Sequence, residues 1–250
     1  MITLTLPSNA SPERYPDNTV ATFKTDLSEP INLQGSGEYE IGLAEIQHPT
    51  VIRNINDCWL SIELNNTYIP RRYMSSGLYT DERHFFGELT KAINQSASEA
   101  VTLVYGPESR RVSLALKPQT RLFISRNLAD ILGFDKASFS NLTSDPRVFT
   151  SEQAYDLFRG LDQIFVYCDL CSNVILGHTS VPLLRCIRSN VSNAPKPQCT
   201  TFNRINFVPM SVRNFNSVLV YLRLGDGRAV PFMSGTCVAT LIIRRKQRIY

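Results

Sequence analysis

The sequence predicts an all-β sandwich, and three observations carry the prediction. Apolar residues recur at every second position in at least five separate runs, which is the mark of a strand with one buried face. Turn-forming residues punctuate those runs. Thirteen Phe, ten Tyr and many Val, Ile and Thr favour pleated strands over helices.

The runs follow in chain order. Ala21, Phe23, Thr25 and Leu27 share one face, and Thr22, Lys24 and Asp26 the other. Tyr39, Ile41 and Leu43 alternate with Glu40, Gly42 and Ala44, and Leu60, Ile62 and Leu64 with Trp59, Ser61 and Glu63. Val112, Leu114 and Leu116 alternate with Ser113, Ala115 and Lys117, and Val218, Val220 and Leu222 with Leu219, Tyr221 and Arg223. The last run, Cys237 to Ile243, reads as apolar on both faces and is expected to be deeply buried. Gly35-Ser36-Gly37 separates two runs, Asn65-Asn66 predicts a tight turn, and Gly225-Asp226-Gly227 predicts a hairpin of type I′. A helix is expected from Thr80-Asp81 to about Asn94, with Phe85, Leu89 and Ile93 as its apolar stripe. A second, short one runs from Asn127 to Leu132, and Gly133 stops it. Ser138–Gly160 and Ser189–Thr201 are expected as long surface loops.

That many strands in one chain are best accommodated by two packed sheets, which together leave few edges. The expected fold is a single jelly-roll β-sandwich with two short helices in its inter-strand connections. It forms one domain over residues 1–250 and ends in a basic C-terminal tail at 244–250. A chain of 250 residues can bury a sizeable core without disulfide staples.

Net charge is +4, from 26 basic and 22 acidic residues. Arg244, Arg245, Lys246 and Arg248 account for the whole excess, since 26 minus 4 leaves 22 basic against 22 acidic. A neutral body argues against a dedicated nucleic-acid-binding domain. The basic run is the candidate contact to nucleic acid or to an acidic partner. The N-terminal segment lacks the basic start of a secretory signal, and no apolar run approaches the roughly 20 residues of a membrane helix. Cys58, Cys168, Cys171, Cys186, Cys199 and Cys237 are therefore expected as free thiols.

Candidate catalytic chemistry is sparse. His48, His84 and His178 form no H-x-H or H-E-x-x-H pair. Cys168-Asp169-Leu170-Cys171 has no second Cys or His pair at zinc-site spacing, and it follows a strand run where a redox motif would open a helix. There is no third Gly and no helix after Gly35-x-Gly37 or Gly225-x-Gly227, as a phosphate loop would need, and no G-x-S-x-G elbow. The reading is a non-enzyme with no catalytic residue, metal site or cofactor. Composition and spacing leave a capsid subunit, a glycan- or protein-binding jelly-roll module and a cupin-like metalloenzyme as the alternatives.

Longer stretches narrow these. The opening Ile2–Ser11, with Tyr15–Thr19 and Phe23–Leu27, resembles the start of the penton-type minor capsid proteins of Polinton/Maverick elements and adintoviruses. The resemblance continues through Tyr39–Ile46, Leu128–Phe134, Gln163–Asp169 and Val181–Arg185. It closes in Leu222–Arg228, Val230–Phe232 and Thr240–Lys246. It implies a jelly roll that forms homopentamers at the fivefold vertices of an icosahedral virion, beside a double-jelly-roll major capsid protein. Further implied partners are a vertex spike or fibre and, through the basic tail, genome or an acidic protein. The family is distantly similar to the adenoviral penton base. This chain lacks that protein's Arg-Gly-Asp loop and is expected to lack any long insertion.

Overall fold

The structure, a computed structural model, describes residues 1–35, 37–96, 99–194 and 196–246. From the N-terminus, β1 (Ile2–Pro7), β2 (Thr22–Asn32) and β3 (Tyr39–Pro49) lead to β4 (Trp59–Leu64) and β5 (Thr67–Tyr73). Then come α1 (Glu82–Ser96), β6 (Val101–Gly106), β7 (Arg111–Leu116), β8 (Thr120–Ile124), α2 (Arg126–Leu132), β9 (Ser138–Asn141) and β10 (Arg147–Thr150). The chain continues through β11 (Gln163–Cys168), β12 (Val174–Leu176), β13 (Thr179–Val181), β14 (Leu183–Arg188), β15 (Pro197–Thr201) and β16 (Phe207–Pro209). It closes with β17 (Asn214–Arg223) and β18 (Val238–Arg245). The fold is all-β, and both helices lie in connections between strands.

Contacts divide the chain into two compact units, residues 1–52 with 160–250 (unit 1) and residues 53–159 (unit 2). Unit 1 carries the jelly roll. One sheet has the order β1-β18-β3-β15, with β16 also on β3; the other has the order β14-β11-β17-β2. β1 and β3 lie in the first sheet and β2 and β11 in the second, and β1 pairs β18, β2 pairs β17, β3 pairs β15 and β11 pairs β14, all antiparallel. First-with-last, second-with-next-to-last pairing is the jelly-roll pattern. The alternation read from the sequence supplies the core: Phe23, Ile41, Leu43, Val218, Val220, Leu222, Ala239 and Leu241 are all fully buried. Gly42 has a packing reason, because a Cβ there would lie 2.4 Å from Ile205 Cγ2 and 2.8 Å from the Asn206 carbonyl oxygen.

Unit 2 sits in the chain between β3 and β11. Its sheets have the orders β5-β4-β8-β9 and β10-β7-β6, and its core includes Phe85, Phe86, Leu89 and Ile93 of α1. The Asn65-Asn66 turn forms as expected, with φ of 51° and 60° joining β4 to β5. Asp81 opens α1 by accepting from the Arg83 amide at 2.9 Å. Ser125 caps α2 by accepting from the Leu128 amide, and Gly133 ends it at φ 81°.

Four expectations are corrected. Ser138–Gly160 is not one loop, since it supplies β9 and β10, paired to β8 and β7. Ser189–Thr201 ends in β15, an edge strand. β18 is buried on one face only: Ala239, Leu241 and Ile243 point inward, while Val238, Thr240 and Ile242 are partly exposed. At Gly225-Asp226-Gly227 only Gly227 has positive φ (83°), so the turn is not type I′. Instead the Gly227 amide donates to the Leu224 carbonyl at 2.9 Å, and the Asp226 carboxylate accepts from the Arg228 amide at 2.9 Å.

Phe86 is the pivot of the aromatic cluster in unit 2. It stacks on Tyr105 at 3.9 Å and meets Tyr155 and Phe85 edge-on at 5.1 and 5.2 Å. Phe86→Ala should cost about 3–5 kcal/mol of stability, measured by equilibrium urea unfolding with near-ultraviolet circular dichroism reporting the cluster.

Candidate functional site

The three histidines lie in different surroundings. His84 is exposed on α1, its ring 5.2 Å from Tyr79, and His178 is exposed in the turn between β12 and β13. His48 is fully buried near the end of β3. Among the described residues, no three His, Cys, Asp or Glu side chains gather as a metal site would require.

Cys168 and Cys171 come together at the end of β11, where the Cys171 amide donates to the Cys168 carbonyl at 3.1 Å. Both are buried. A hydrogen bond to Cys171, followed by burial, pushes the Cys168 thiol well up from its ordinary value. Burial raises Cys237 to about 12 and Cys58 to about 11. These are protonated packing groups, not nucleophiles.

The basic run is placed differently from a free tail. Arg244 and Arg245 are the last residues of β18, opposite Glu40 and Tyr39 of β3. Arg244 Nε donates to Glu40 at 2.6 Å, and its guanidinium lies 3.6 Å over the Phe207 ring. Lys246 Nζ donates to Glu38 at 2.6 Å, and the Lys246 amide donates to the Glu38 carbonyl. The side-chain hydrogen bond to the Glu38 carboxylate raises the pKa of the Lys246 ammonium. The Arg245 side chain crosses Gly37, where any Cβ would collide with its guanidinium. Arg248 lies outside the described residues. The signal was present in the sequence: Glu38-x-Glu40 at the start of β3 mirrors Arg244-x-Lys246 at the end of β18, as cross-strand charge pairs do.

Unit 1 also offers surface that sequence reasoning missed. Buried Tyr167 and partly exposed Tyr221 stack across β11 and β17 at 4.9 Å, with Arg223 beside Tyr221. Arg185 lies 3.7 Å over Phe202. Ile175 on the β12–β13 hairpin is 85% exposed. A groove of about 660 Å³ lies between residues 8–21 and 229–235, walled by Tyr15, Pro16, Val20, Pro231 and Phe232.

With this geometry in place, comparison with solved structures is informative. The crystal structure of the mavirus penton protein matches over 98% of this chain and 99% of that one, at a TM-score of 0.50 and 12% sequence identity. The chain has the fold of a viral penton protein. No protein-family model and no curated protein sequence matches it. The penton fold covers both units, so the segment between β3 and β11 falls inside the matched length. Among the described residues, no helix is long and apolar enough to cross a membrane.

All six cysteines are free, with Cys186 and Cys199 exposed and the other four buried. Two thiols should therefore react with a disulfide reagent within the mixing time on the native protein, and six after denaturation. A native count above two would show that a buried thiol is open to solvent.

Proposed function

We propose that this chain is a structural capsid subunit of the penton type, which closes into a homopentamer at an icosahedral vertex beside a double-jelly-roll major capsid protein. One observation carries the reading: the match to the penton fold runs over 98% of this chain and 99% of that one. Fold alone does not assign function. The sequence resemblance along the chain, from Ile2 to Lys246, points independently to the same class. On this reading the protein is not an enzyme, and its work lies in contacts between surfaces. Identical chains satisfy a repeated head-to-tail contact by closing a ring. The Ile175 hairpin and the apolar groove are the surfaces that such contacts would use. A vertex spike or fibre would be a further partner.

Native mass spectrometry of the full chain at micromolar concentration tests the assembly, and electron micrographs of the same sample give its shape. Fivefold rings are the expected result. A stable trimer would indicate a facet subunit, and monomers that bind glycans would favour the glycan-binding module.

The basic run has a narrower part than a free tail would have. Glu40 and Glu38 already engage Arg244 and Lys246. Contact with genome or an acidic protein therefore rests chiefly on Arg245 and Arg248. Replacing both with Gln should weaken retention of nucleic acid and reduce the log–log salt slope by about 2, measured by fluorescence anisotropy between low and moderate salt. An unchanged slope would remove the run from any nucleic-acid interface.

A further inference from the structure

We propose that His48 is an acid-operated latch: its protonation frees β15 and the 229–236 segment from the end of β3. Three pieces of chain meet there. Gln198 and Pro197 of β15 lie opposite His48 and Pro49. Just before β15, the carbonyls of Ala194 and Lys196 lie 3.0 and 2.8 Å from the Thr50 hydroxyl. On the other side, Phe232 bridges to Ile52, and the Met233 amide donates to the Val51 carbonyl at 3.0 Å. Gly235 comes so close to Pro49 that a Cβ would lie 2.8 Å from its ring. His48 sits inside this junction with no solvent exposure, its ring centroid 5.9 Å from that of Phe232.

The hydrogen bonds determine its charge state. Nδ1 lies 2.8 Å from the Pro49 carbonyl oxygen. A carbonyl can only accept, so Nδ1 carries the proton and Nε2 presents its lone pair. Nε2 is buried and has no hydrogen-bond partner among the described residues. A neutral ring tolerates this, because a bare lone pair in an apolar setting is a modest loss. A second proton would place a cation and an unmatched N–H donor in the core.

The surrounding elements supply little to offset that charge. β3 offers Glu45, which already accepts from the Thr201 hydroxyl at 2.9 Å. β15 and its lead-in offer Cys199 and Lys196, the approach to β18 offers the buried thiol of Cys237, and residues 50–53 offer Arg53. Residues 229–236 contain no titratable side chain. The ring therefore titrates below the ordinary histidine value, with burial as the main cause. The sign follows. At pH values below about 6.5, the released ring binds a proton that the packed ring refuses, so the packed state loses stability as pH falls. The strain is relieved when the ring swings into water, which requires β15 or the 229–236 segment to lift.

Hydrogen exchange of the full chain at pH 7.5 and 5.5, corrected for intrinsic rates, reads this directly. Residues 197–201 and 229–236 should gain exchange by up to about tenfold per pH unit below the free-histidine pKa, while unit 2 changes little. His48→Phe keeps a ring but cannot charge, and it should abolish the acid response of these two segments. An equal response in His48→Phe would overturn the proposal. If that variant fails to fold, imidazole NMR of the unaltered protein decides. His48 should show the Nδ1–H tautomer and titrate below the ordinary histidine value of about 6.5, and titration at or above that value would sink the latch.

Discussion

Unit 1 depends on one pairing, the antiparallel register of β18 against β3. Eight residue pairs, from Val238 opposite Gln47 to Arg245 opposite Tyr39, join segments about 200 residues apart. Among the described residues β1 pairs with β18 alone, and β3 is the strand on which β15 and β16 are built. Take β18 away and its sheet separates into an unpaired β1 and a β3 with one edge stripped. Closing so long a loop costs entropy before any contact repays it. The return comes from the inward faces of Ala239, Leu241 and Ile243 against those of Ile41, Leu43 and Ile46. The ion pairs at the far end, Arg244 with Glu40 and Lys246 with Glu38, add little energy at the surface but help to fix register. A one-residue slip would turn every buried side chain of β18 outward.

Much of this fold was legible in the sequence. Period-two alternation located β2, β3, β4, β7 and β17, and capping chemistry located both helices to within about two residues. Alternation is a local signal, however. It says that a strand has a face to bury, not which sheet will bury it, so residues 53–159 read as more of the same sandwich. Their separate core rests on α1 packing Phe85, Phe86 and Leu89 among strands that lie on both sides of it in sequence. β18 was misread for a related reason. Val238 and Ile242 are apolar but lie on the half-exposed face, and composition alone cannot distinguish that face from the core.

The candidate site was less legible. The basic run was visible as a charge excess, but its pairing depends on Glu38 and Glu40, some 200 residues earlier, and only topology brings them near. His48 stands directly before Pro49 in the sequence, near the end of β3. Its burial was not readable, because Phe232 and Gln198 reach it from distant segments. Of the six thiols, Cys58, Cys168, Cys171 and Cys237 lie in the core.

The placement of unit 2 between β3 and β11 also orders events during synthesis. Residues 53–159 are contiguous, so every partner in their sheets has been made once Arg159 leaves the ribosome. Unit 1 has no such moment until β18 is complete. At about 5–20 residues per second, the remaining stretch to Arg245 takes on the order of 5–20 s to translate. Throughout that interval β1, β2 and β3 are already made while several of their partners do not yet exist. The newborn chain thus carries a finished core behind three open strands, and those strands are where a chaperone would find its first substrate.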